Sequence, residues 1–272
     1  MNLQNIFNEI EKTDPEIYER LDSRRNIMHR FKSFGGKLAL TAIPVALGSM
    51  LNKAYGQTPS NIVDILNFAL TLEYLESDFY TTTIVSLGSK IDPSETSSFA
   101  LIKQQEDEHV AFLTTTIASL GGIPATKPEF DFTKGNSVNP FENYLQFLAL
   151  AQIFEDTGVR AYKGQVTGLI SNNEILTAAL QIHSVEGRHA AHVRNIRRLR
   201  GDDPKEKPWI TGKSTNGIGS DAQPTYDGEE NSTQLGIDLI TLSNISSSSA
   251  TESFDEPLTM DQVNAIIDPY IL

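Results

Sequence analysis

The sequence predicts an all-α protein: four long helices in a bundle, a long crossover between helices 2 and 3, and an irregular C-terminal extension ending in a short helix. Three observations point there. Four stretches of about 26–32 residues carry apolar or small residues at helical spacing, some 40–48 Å each at about 1.5 Å per residue. The joins between the first and second stretches, and between the third and fourth, are short. The join between the second and third is about twenty residues long (GGIPATKPEFDFTKGNSVNP), enough to cross the length of a bundle.

Residues 1–56 precede the bundle and admit two readings. The run LALTAIPVALGSML over 38–51 is too short for an ordinary membrane span, and Pro44 interrupts it. It has the length of a signal-peptide core. Ser23-Arg24-Arg25 lies before it, and Ala54 and Gly56 stand three residues and one residue before a cut after Gly56. This resembles a twin-arginine export signal with an N-terminal extension and predicts export, to a periplasm, with no stable membrane anchor. The other reading is an amphipathic helix followed by a buried one, in a cytoplasmic protein.

The bundle is expected over 57–200. Its first helix, about 58–89, opens on a Ser60-Asn61 cap signal and has the stripe Leu66, Ala69, Leu70, Ser77 and Tyr80, with Glu73 inside it. The second begins near Asp92-Pro93 and stops at Gly121-Gly122, with the stripe Ile102, Glu106, His109, Leu113 and Ile117. The third is expected from Asn139-Pro140 to about Ser171, with Leu145, Leu148, Gln152, Glu155, Val159 and Tyr162 on one face. The fourth runs from about Asn172 to Gly201, with Ala179, Ile182, Glu186, His189, Val193 and Ile196.

Residues 201–272 change character and become rich in Gly, Ser, Asn, Asp and Pro. They hold 13 acids and 3 bases, so most of the net charge of −13 belongs to them. Sparse apolar residues (Trp209, Ile210, Tyr226, Leu235, Leu239, Phe254) suggest a segment wrapping the bundle, with Trp209 as a packing anchor. Thr259 is the expected cap of a last helix carrying Val263, Ile266 and Ile267. Nothing here resembles a nucleic-acid surface, which needs an extended patch of Lys and Arg. The absence of cysteine excludes disulfides, thiolate metal sites and cysteine nucleophiles.

The chemistry lies on the stripes. Positions i and i+3 share a helix face, so Glu-x-x-His aims a carboxylate and an imidazole at one spot. The chain has this twice, Glu106/His109 and Glu186/His189, each after a lone glutamate, Glu73 or Glu155. The intervals from lone glutamate to pair are 33 and 31 residues, and a tyrosine follows each lone glutamate by seven, Tyr80 and Tyr162. The bundle is therefore a repeated helix hairpin. Four buried carboxylates need a cationic partner, since burying each unneutralised charge costs several kcal/mol. Two divalent ions balance four carboxylates, and mixed oxygen and nitrogen donors suit iron or manganese.

The order Glu, Glu-x-x-His, Glu, Glu-x-x-His on four helices resembles that of the ferritin-like di-iron and di-manganese carboxylate proteins. The stretches NFALTLEYLESDFY, FEDTGVRAYKG and SFDEPLTMDQVNAI are similar to bacterial ferritin-like proteins akin to desiccation-related proteins, over about 58–272. The resemblance implies that Glu106 and Glu186 bridge the ions, that Glu73, His109, Glu155 and His189 each bind one, and that Tyr80 and Tyr162 orient ligand carboxylates. It implies a redox protein acting on O2, peroxide or Fe(II) in stress protection, or a stress protein whose metals only stabilise the bundle. A wrapping tail argues against a 24-subunit cage and for a monomer or small homo-oligomer. Glu76 is the alternative ligand to Glu73. Asp107, Glu108 and Asp156 are expected in solvent, and His183 and His192 outside the centre.

Overall fold

The computed structural model describes residues 62–201 and 206–272; the expected export signal and the Ser60-Asn61 cap lie outside them. The bundle is α1 (Ile62–Leu87), α2 (Pro93–Ser119), α3 (Tyr144–Leu169) and α4 (Asn173–Arg200). In the extension follow α5 (Gln223–Tyr226), a two-residue hairpin of β1 (Thr233–Gln234) and β2 (Ile237–Asp238), α6 (Leu239–Ser243), α7 (Ser247–Thr251) and α8 (Met260–Ile267).

Local chemistry sets most helix ends. The Asp92 side chain accepts from Ser94 N with Pro93 at the first helical position, so α2 starts there. Asn172 caps α4 by accepting from Glu174 N and Ile175 N, and Gly201, at φ 82°, ends it in the left-handed conformation. Thr259 and Gln262 form a capping box on α8, whose Val263, Ile266 and Ile267 are buried.

Helix α3 departs from expectation at its start. It begins at Tyr144, capped by Asn143, which accepts from Leu145 N and Gln146 N. Asn139-Pro140 opens a turn closed by Asn143 N donating to Asn139 O at 3.0 Å. Leu145, in the cap's first turn, is 48 % exposed rather than part of the core stripe.

Short joins make α1 and α2 antiparallel neighbours, and likewise α3 and α4; α1 also packs on α3. One apolar cluster joins the N-terminal halves of α1 and α4 to the C-terminal halves of α2 and α3 (Leu66, Leu70, Leu113, Leu169, Ala179). Hence α1 and α3 run antiparallel, and the crossover traverses the bundle. The other cluster fills the opposite end around Phe79, whose ring meets Phe132, Phe147 and Phe154 at centroid distances of 5.2, 5.3 and 5.1 Å. Phe132 comes from the crossover. That segment also pairs with the C-terminus, where Asp131 N donates to Tyr270 O at 2.8 Å and Leu272 N to Glu129 O at 3.0 Å.

Almost every residue of α3 from Phe147 to Gln165 is buried, on all sides of the helix. The bundle covers one face and the extension the other. Arg160 donates to Glu256 O at 2.7 Å and Asp227 O at 2.9 Å, and pairs with Glu229 at 2.7 Å. Leu258 N donates to Arg160 O at 3.1 Å. Gly164 permits this approach, since a Cβ there would lie 1.9 Å from Leu258 O.

The same covering corrects the expectation for Asp156. It is 1 % exposed, not solvated. Its carboxylate receives Arg194 Nε at 3.0 Å, Arg194 Nη2 at 2.5 Å and the Tyr226 hydroxyl at 2.8 Å. Asp107 is half-buried and Glu108 exposed. In the extension Ile210 and Tyr226 are the buried anchors, whereas Trp209, Leu235 and Phe254 are 49, 62 and 40 % exposed. Trp209 is therefore no packing anchor; Lys207 stacks over its ring at 6.0 Å.

Candidate metal centre

Between the two apolar clusters each bundle helix turns acidic or basic groups inward. Glu73, Glu106, Glu155 and Glu186 are fully buried, and His109 and His189 are 9 and 4 % exposed. They form two groups that share two members: Glu73, Glu106, His109 and Glu186, and Glu106, Glu155, Glu186 and His189. Within each group one donor atom per residue lies within 4.8 Å of all the others. All six residues singled out in the sequence thus meet, and Glu106 and Glu186 stand between the two groups. His183 and His192 belong to neither group.

The histidines present Nδ1. His109 Nδ1 lies 3.2, 3.0 and 3.2 Å from oxygens of Glu73, Glu106 and Glu186. His189 Nδ1 lies 2.7 Å from Glu106 and 3.4 Å from Glu155. Its other nitrogen, Nε2, is 2.7 Å from Gln105 Oε1, which sets the tautomer that leaves Nδ1 facing inward. Helices α2 and α4 meet through such side chains.

The tyrosines complete the repeat. Tyr80 donates to Glu155 Oε1 at 2.6 Å, and Tyr162 donates to Glu73 Oε1. Each reaches the lone glutamate of the other hairpin, so the two halves are tied crosswise. Burial, then the neighbouring carboxylates, push both phenols well above their usual range. They stay protonated and act as donors.

Electrostatics alone leaves the centre unresolved. Burial disfavours an imidazolium at His109, but contact with Glu106, Glu186 and Glu73 outweighs it and holds the ring proton up to about 12. His189 is raised similarly: burial opposes the charge, and Glu155, Glu106 and Glu186 more than restore it. Burial drives Glu155 up to about 7 even against His189. Burial likewise opposes ionisation of Glu186, yet the His109 and His189 imidazoles beside it bring it down to about 2. Even so, among the described residues Glu106 Oε1, Glu155 Oε2, both oxygens of Glu186 and His189 Nδ1 lie close to one another without the geometry of a hydrogen bond. Buried polar atoms are seldom left so. Oxygen and imidazole donors converging on two points fit a pair of divalent ions of the iron or manganese kind.

Two participants were missed in the sequence. Gln105 precedes Glu106 and was hidden because a half-buried glutamine carries no periodicity signal. Glu76 reads in the sequence only as a substitute for Glu73. It is 2 % exposed and borders the centre, in neither donor group, with its Oε1 and Glu186 Oε2 both facing Gly158. Burial and then Glu186, Glu106, Glu155 and Glu73 raise its carboxyl well above the usual range.

Beside Tyr162 the core leaves a cavity of about 20 Å³, lined by Leu66, Ala69, Leu113, Ala179 and Ile182 among others. Gln165 borders it, buried, with an amide that has no hydrogen-bond partner. None of the described helices is long and apolar enough to cross a membrane.

No curated protein is significantly similar in sequence to this chain. The family model of the ferritin-like domain matches residues 61–198, half of the chain and the whole of the bundle with its centre. With fold, crossover and inward-facing residues in agreement with that match, the chain belongs to the ferritin-like domain family.

Proposed function

We propose that this protein is a di-metal carboxylate oxidoreductase that passes electrons to O2 or peroxide, in protection against oxidative or drying stress. The observation that carries the reading is the sharing of Glu106 and Glu186 by two donor groups that each contain one histidine and one further glutamate. Two ions held through common carboxylates can share a two-electron step. With Fe(II) as substrate, two ions each lose one electron, and O2 takes both electrons and two protons to become hydrogen peroxide. The chain's residues hold the ions, orient the carboxylates through Tyr80 and Tyr162, and keep bulk water out by burial.

The apolar cavity beside Tyr162 favours O2 over peroxide. Its lining is mainly of apolar side chains, which suits an apolar diatomic better than a polar peroxide. Export belongs to the same reading, on the strength of Ser23-Arg24-Arg25 and the apolar run over 38–51. Sequencing the N-terminus of the protein from fractionated cells checks it; an intact N-terminus in the cytoplasm refutes it.

The test is elemental analysis of natively purified protein followed by stopped-flow Fe(II) oxidation and peroxide turnover. Two ions per chain with multiple turnovers supports the enzyme. Two ions, no turnover and a lower melting temperature after chelation supports the second reading, in which the metals chiefly hold the bundle together. The five buried glutamates around the centre favour that second reading, since they repel one another without a cation.

A further inference from the structure

The two hairpins of the bundle repeat, and the repeat has one conspicuous break. Moving 82 positions along the chain takes Glu73 to Glu155 and Tyr80 to Tyr162. The same step takes Glu76 to Gly158. A fifth buried carboxylate therefore stands on α1 beside the centre, outside both donor groups, and at the matching place on α3 there is no side chain at all.

The two residues are in register with each other. A Cβ built on Gly158 would lie 3.1 Å from Glu76 Oε1 and 3.5 Å from Glu186 Oε2. A methyl group at position 158 would thus press on the Glu76 carboxylate, which shares this spot with a carboxylate common to both donor groups. Glu76 is 2 % exposed, and the charged groups acting on it most strongly are all carboxylates: Glu186, Glu106, Glu155 and Glu73. A buried carboxylate among carboxylates either keeps a proton or, once ionised, needs a cation.

We propose that Glu76 is a seventh donor to the metal centre, that Gly158 exists to admit it, and that the centre is consequently not two-fold symmetric. This rests on the di-metal reading above. Six donors come in two equivalent sets of three; the seventh comes from one hairpin only. Glu106, Glu186 and the two histidines frame the centre from α2 and α4, so Glu76 adds its oxygen from the α1–α3 side.

The test uses the full-length protein loaded with ⁵⁷Fe(II) without oxygen. Wild type, Glu76→Gln and Gly158→Ala are compared by competitive chelator titration and Mössbauer spectroscopy. Glu76→Gln keeps the shape of the side chain and removes its charge, and Gly158→Ala displaces the carboxylate while leaving every donor present. Circular dichroism and melting of the metal-free proteins verify folding. The expected result is that both variants lose affinity for at least one ion by about tenfold or more, the loss seen on removing groups that merely orient ligands. Their ferrous spectra also change from that of wild type. A structural role would move the melting temperature but not the spectrum. Wild-type affinities and an unchanged spectrum in Glu76→Gln overturn the proposal and leave the six-donor centre standing. Failure of the wild type itself to bind two ions overturns the di-metal reading instead.

Discussion

Gln105 accepts the Nε2 proton of His189 at 2.7 Å across the gap between α2 and α4. The repeat that takes Glu106 to Glu186 and His109 to His189 takes Gln105 to Val185, which offers His109 no such partner. One imidazole is thus held from behind and the other is not. Gln105→Leu should weaken the ion bound by His189 by about 10–100-fold and leave the other nearly unchanged. Metal competition titration resolves the two steps, and equal weakening of both refutes the assignment.

Glu106 belongs to both donor groups. Glu106→Ala should therefore abolish stoichiometric binding of both ions, whereas Glu155→Ala should spare one. Elemental analysis after desalting reads this directly. Two ions retained in Glu106→Ala would sink the site.

Metal uptake should release protons. His109 is held up to about 12 by its carboxylate neighbours in the metal-free protein, so at neutral pH its ring carries the extra proton. An incoming ion must displace it. Affinity should accordingly rise with pH between 6 and 8, a range chosen for the measurement. Calorimetry in buffers of differing ionisation enthalpy counts the protons, and a count of zero contradicts this account of the centre.

Chelation should lower the melting temperature. An ion that binds only the folded chain stabilises it by about 4 kcal/mol at a thousand times its dissociation constant. Scanning calorimetry with and without chelator measures the shift, and coincident melts indicate an empty or unimportant site.

Asp156→Ala should cost up to about 3 kcal/mol, because it takes the nearest carboxylate from the buried Arg194 guanidinium and leaves it Glu206 at 3.6 Å. Gly164→Ala should loosen the extension, since the new methyl group collides with the Leu258 backbone. Urea unfolding and limited proteolysis of residues 206–272 read the two effects. An unchanged midpoint in Asp156→Ala contradicts a buried Asp156–Arg194 pair, and unchanged proteolysis in Gly164→Ala contradicts the covering of α3 by the extension.

Much of the bundle and its centre could be read without coordinates, because their signals are local. Apolar spacing marks the helices, capping side chains at Asp92, Asn172 and Thr259 mark their starts, and three-residue spacing aligns each glutamate with its histidine. The repeat of that pattern singled out Glu73, Glu106, His109, Glu155, Glu186 and His189. What depended on distant segments was invisible. Periodicity places Asp156 off the Glu155 stripe, on what looks like a solvent face, but says nothing of Arg194 reaching it from α4 or of the irregular extension that brings Tyr226 over it. Glu76 reads as a neighbour of Glu73 until α3 is packed beside α1 and Gly158 is found to make room for it. A helix's own sequence determines which residues share a face; only the tertiary structure decides what lies against that face, because those contacts join residues tens of positions apart.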